Sequence, residues 1–121
     1  MARYVEPTRQ LVVEVMVRDL AVSRAFYERL GFEVIREDGS FLELAWENHL
    51  FFLDERPDLP PASGVPSANV RVMVPDVDRW WSVAREMGAR VVSPIDDRAY
   101  GLRDFTVADP DGFGLRFASW L

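Results

Sequence analysis

Two runs of alternating character, VVEVMV (12–17) and NVRVMV (69–74), are rich in β-branched residues and predict a strand each. Behind each run comes an aspartate, Asp19 or Asp76, whose side-chain oxygen suits the free N–H groups of a helix start. The spacing then predicts helices over 20–30 and 77–87. The first would bury Leu20, Phe26 and Leu30, and the second Val77, Trp80, Ala84 and Met87. Gly31 and Gly88 follow as left-handed stops, and second strands are predicted over 32–36 and 90–94.

This parallel is an internal repeat. A shift of 57 positions lays VVEVMVRDLAVSRAFYERLGFEVI (12–35) over NVRVMVPDVDRWWSVAREMGARVV (69–92) without a gap. Identities fall at Val13/Val70, Val15/Val72, Met16/Met73, Val17/Val74, Asp19/Asp76, Gly31/Gly88 and Val34/Val91. Each copy closes in a hairpin. SFLELAW (40–46) turns through Glu47-Asn48 into HLFFLDE (49–55), and LRDFTVA (102–108) turns through DPDG into FGLRFASW (113–120). Two copies of so long a period exclude a solenoid. The expected fold class is α+β, two βαβββ modules in one domain spanning 1–121. Module one covers 9–55, a proline-rich linker covers 56–66, and module two covers 67–121.

Strand parity sorts the side chains. Val13, Val15 and Val17 face the helix of module one, so Val12, Glu14 and Met16 face away. In module two Asn69, Arg71 and Met73 face away, as do Gly114, Arg116 and Ala118 of the last strand. Leu50, Phe52 and Asp54 belong to the corresponding face of module one, joined by Phe41, Glu43 and Ala45. Apolar walls with a few placed polar groups suit a ligand cleft. A packed module or subunit interface with internal Glu–Arg pairs fits the same pattern.

Composition narrows the chemistry. The 121 residues include no cysteine, which excludes disulfides and thiolate sites and suits a cytoplasmic location. A net charge of −6 argues against nucleic acid and favours a neutral or cationic small molecule. No apolar run has the length of a membrane span, so no membrane partner is expected. His49, the single histidine, flanks a turn rather than a site. Asp96-Asp97 is expected in a solvated loop, with a pocket lid as the lesser reading. Trp81, which cannot face the module core together with Trp80, is expected at a subunit contact or partly buried under the linker. Phosphate-loop, nucleophile-elbow and dinucleotide motifs are absent.

The string DLAVSRAFYERLGF, the paired modules and the closing DPDGFGLRF resemble the vicinal-oxygen-chelate superfamily of glyoxalases, extradiol dioxygenases and fosfomycin- and bleomycin-resistance proteins. The resemblance implies four metal-ligand positions, here Val12, Phe52, Asn69 and Arg116. None is a carboxylate or imidazole, so no metal and no cofactor are expected. A shifted site at Glu14 and Glu43 is less favoured than ion pairing with Arg71 and Arg116.

The metal-free bleomycin-resistance branch is most similar. It implies a homodimer that sequesters a small molecule in a groove between module faces, with no catalytic residues. The implied ligand-binding residues are Glu14, Met16, Glu43, Phe52, Asn69, Arg71, Met73 and Arg116, with apolar contact from Trp120. The alternative is a glyoxalase-type lyase, isomerase or dioxygenase that uses nonstandard metal ligands.

Overall fold

A computed structural model describes residues 4–121. The chain divides into two compact units, one ending at Pro60 and the other spanning Pro61–Leu121. The first holds a short helix α1 (Pro7–Gln10), then β1 (Val13–Val17), α2 (Leu20–Leu30), β2 (Glu33–Asp38), β3 (Phe41–Trp46) and β4 (His49–Glu55). The second holds β5 (Asn69–Met73), α3 (Val77–Met87), β6 (Arg90–Asp97), β7 (Leu102–Ala108) and β8 (Gly114–Trp120). Each unit forms one four-stranded sheet, ordered β1-β4-β3-β2 or β5-β8-β7-β6, so the fold is α+β. The first strand of each module pairs parallel to the last, and the other pairs are antiparallel.

One face of each sheet carries the core. In the first unit, Val15, Val17, Leu42, Leu44, Phe51 and Leu53 are buried beneath Leu20, Tyr27 and Leu30 of α2. Tyr27, not Phe26, is the buried aromatic of this helix: it meets Phe32 edge-on at 5.3 Å and Phe51 at 5.3 Å. Phe26 lies one residue off the core line and is only half-buried. In the second unit, Val72, Phe105, Val107, Leu115 and Phe117 are buried beneath Val77 and Ala84.

Trp80 and Trp81 both reach this second core. Trp80 stacks on Phe117 at 6.4 Å, and Trp81 lies against Phe105 at 5.1 Å. Adjacent helical residues sit about 100° apart, so the two indoles straddle the line through Val77 and Ala84. That corrects the expectation that the two tryptophans cannot both face the module core.

The two modules start their helices in related ways. Asp19 Oδ1 accepts from Ala21 and Val22 N–H, and Glu55 Oε2 accepts from Leu20 N–H at 2.9 Å. Asp76 makes no side-chain cap bond. Buried Ser119, on the strand matching that of Glu55, instead accepts from Val77 N–H at 2.8 Å and donates to the Val74 carbonyl at 2.9 Å. Gly31 (φ 115°) and Gly88 (φ 70°) end the helices in the left-handed conformation.

Two boundaries differ from expectation. Strand β6 extends to Asp97, so Asp96-Asp97 is in an edge strand and not in a loop. Pro94, which has no N–H, coincides with a register irregularity between Ser93 and Asp96, as befits an outer strand. The helix α1 has no counterpart in the sequence pattern.

Candidate functional site

The face of each sheet away from its helix carries the candidate residues. In the first unit the register sets Glu14 beside Phe52, and Phe52 beside Glu43. One step along, Met16 pairs with Asp54, and Asp54 with Phe41. Phe41 and Phe52 meet edge-to-face at 5.1 Å, half-buried, with the Arg36 guanidinium over Phe41 at 5.3 Å. Arg36 also lies 3.7 Å from Glu43, and Arg56 lies 2.9 Å from Asp54. Glu14 is exposed and has no ion pair or side-chain hydrogen bond with the described residues. Glu43 thus has an arginine neighbour within its own sheet, Arg36, its partner in register on the adjacent strand.

Beside this face, Glu6, Thr8 and Arg9 around α1 enclose a shallow cavity of about 390 Å³ with Ile35, Ala45, Glu47, Asn48 and Leu50. Glu47, in the β3–β4 turn, has φ 54°, an uncommon value for a residue with a Cβ.

In the second unit the register sets Arg71 beside Arg116, Asn69 beside Gly114, and Met73 beside Ala118. Asn69 and Arg71 are exposed, whereas Met73 and Arg116 are half-buried. Gly114 allows the two strands to approach: a Cβ there would lie 2.8 Å from the Asn69 Cβ and 2.9 Å from the Ala68 carbonyl oxygen.

Asp104, which sequence reasoning missed, organises this face. It is only 3% exposed. Its Oδ2 accepts from Arg116 Nε at 3.1 Å and Nη2 at 2.9 Å, and from the Tyr100 hydroxyl. Its Oδ1 accepts from Arg98 Nε at 2.8 Å. Arg98 Nη2 continues to Ser93 Oγ and the Pro94 carbonyl, and the Arg116 guanidinium sits 5.2 Å from the Tyr100 ring centre. Burial pushes the Asp104 pKa up, but hydrogen bonds from Tyr100, Arg98 and Arg116 outweigh it and hold the carboxyl below its usual range. The same bond, with burial, raises the Tyr100 phenol above its usual value.

Arg116 owes its position to the turn before it. Buried Asp109 accepts through Oδ1 from the Asp111 and Phe113 N–H groups, at 2.8 and 2.9 Å. Gly112 supplies the positive φ, 93°. The turn therefore fixes the β7–β8 register, with Thr106 opposite Arg116 and Asp104 opposite Ala118. Asp104 and Arg116 are diagonal neighbours on one face, within reach of long side chains. The alternation of LRDFTVA carried that signal, since it sends Asp104 and Thr106 to the side opposite Phe105.

The side chains at the four implied metal positions do not fit a divalent ion. Val12 and Phe52 offer no donor atom, Asn69 offers a neutral amide, and Arg116 offers a cation already bound to Asp104. Among the described residues, no three His, Cys, Asp or Glu side chains gather as a metal-binding group. No helix among them is long and apolar enough to cross a membrane.

Comparison with solved structures places this architecture among known relatives. A bleomycin-binding protein complexed with bleomycin is 22% identical, with a TM-score of 0.73 over 91% of this chain and 97% of the other. A glyoxalase/dioxygenase from Nostoc punctiforme is 19% identical, with a TM-score of 0.79 over 100% of this chain and 99% of the other. TioX from Micromonospora sp. ML1 is 26% identical, with a TM-score of 0.70 over 92% of this chain and 98% of the other. A search of curated proteins returned no match. Residues 9–117 match the family described as Glyoxalase/Bleomycin resistance protein/Dioxygenase superfamily, and the chain belongs to that superfamily.

Proposed function

We propose that this protein is a metal-independent small-molecule binding protein of the bleomycin-resistance type, acting as a homodimer in the cytoplasm. Ligand binds on the open sheet faces and no bond is made or broken. The observation that carries this reading is Arg116. It occupies a last-strand position where metal-dependent relatives keep a ligand, and its guanidinium is tied to a buried carboxylate. Around it and on the first sheet, half-buried Phe41, Phe52, Met16 and Met73 alternate with charged groups, the mixture of a binding surface. Exposed Glu14, which has no ion pair among the described residues, is suited to meet a cationic group of the ligand. The bleomycin-bound structural neighbour supports binding as the function.

Thermal-shift screening of EDTA-treated protein against bleomycin and other cationic antibiotics tests the reading. At least one should raise the melting temperature by several degrees, as ligand at about 100 times its Kd stabilises by about 2.7 kcal/mol. A panel with no effect until Zn, Ni, Mn or Fe is added would overturn it.

A further inference from the structure

Glu14 and Arg71 occupy the same position of the 57-residue repeat, two residues into the alternating run of their module. Both are exposed, and neither has a side-chain partner among the described residues. Equivalent positions thus carry opposite, uncompensated charges.

Arg71 also stands directly across from Arg116 in parallel register, on strands about 4.8 Å apart. Two guanidinium groups side by side on one sheet face repel each other. Asp104 offsets only part of this. Its two oxygens already serve Arg116, Arg98 and the Tyr100 hydroxyl, which leaves nothing for Arg71. The Asn69 side chain follows on the same face, two residues before Arg71, with no side-chain partner among the described residues. Beside Arg116 the Tyr100 ring, 60% exposed, offers an apolar flank to whatever the guanidinium holds. Cationic donors beside an exposed aromatic ring make a surface suited to an oxyanion attached to an apolar body.

We propose that the open face of β5 and β8 binds the anionic group, carboxylate or phosphate, of a small molecule with an aromatic body, with Arg71 and Arg116 as donors. This rests on the open-face binding reading and adds the ligand's chemical class. The chain's overall charge of −6 makes the preference a local property of these two side chains, not of long-range steering.

Calorimetric titration of the full chain tests this with four probes that share one ring system. These are 1-naphthoate, 1-naphthyl phosphate, neutral 1-naphthamide and the cation 1-naphthylmethylammonium. At least one of the two anions should bind tenfold or more tightly than the amide, and the tighter of them identifies the oxyanion preferred. Arg71→Gln should abolish that preference without lowering the melting temperature, since it also removes the repulsion from Arg116. Equal binding of anion and amide, or a preference that survives Arg71→Gln, would overturn the anion assignment and leave open-face binding standing. Failure of every probe, together with failure of the cationic antibiotics, would overturn both.

Discussion

Asp104 and Arg116, on neighbouring antiparallel strands, are joined twice through one carboxylate oxygen, by Nε at 3.1 Å and Nη2 at 2.9 Å. The corresponding diagonal in the first module is the edge-to-face pair of Phe41 and Phe52. One fold position thus holds an aromatic contact in one copy and a buried ion pair in the other. An arginine in each copy also lies over an aromatic ring, Arg36 on Phe41 and Arg116 on Tyr100.

Asp104→Asn should destabilise the protein by about 2–3 kcal/mol in urea unfolding, because it leaves Arg98 and Arg116 facing each other without a carboxylate. The magnitude sits below that of a fully buried pair, since both arginine side chains keep about a quarter of their exposure. A loss under 0.5 kcal/mol would show that the arginines re-pair elsewhere.

The same carboxylate sets a pH dependence. Its folded pKa lies below the ordinary value, so its contribution is complete above the unfolded carboxylate pKa of about 3.9 and is lost as pH falls through the folded one. The stability gap between wild type and Asp104→Asn should therefore stay constant above about pH 5 and close in stronger acid. A gap that widens on acidification would contradict this sign.

Ser119→Ala removes the acceptor for Val77 N–H and the donor to the Val74 carbonyl, both buried. The expected loss is about 1–2 kcal/mol. Glu55→Ala, which frees Leu20 N–H at a part-buried site, should cost less, about 0.5–1 kcal/mol. Denaturant midpoints of the two variants measure the order.

Gly114→Ala should destabilise by about 1–3 kcal/mol, since its Cβ would press on Asn69 and the Ala68 carbonyl and force β5 away from β8. Hydrogen exchange of the Gly114 and Arg71 amides would report the loosened pairing.

The repeat made most of this fold legible. Two alternating runs, two glycine stops and the DPDG turn place every strand and both long helices, because each rests on local chemistry. What local pattern does not carry is which side chain answers which. Asp76 has the type of a cap, but Ser119, more than forty residues later, makes the bond. Arg116 was visible as a charge on a strand, and its partner depended on the hairpin register set by Asp109. Trp80 and Trp81 both reach the core, against expectation, because a helix core line is wide enough for two adjacent indoles.

The most direct test of metal-independent binding is calorimetric titration of bleomycin into EDTA-treated protein, with metal content measured on the same sample. Metal-independent binding predicts a saturable micromolar or tighter isotherm with less than a tenth of a metal ion per chain, weakened about tenfold or more by Phe52→Ala through lost apolar contact. Binding that appears only after one equivalent of Zn, Ni, Mn or Fe is restored, and is lost in Glu14→Ala, would contradict it.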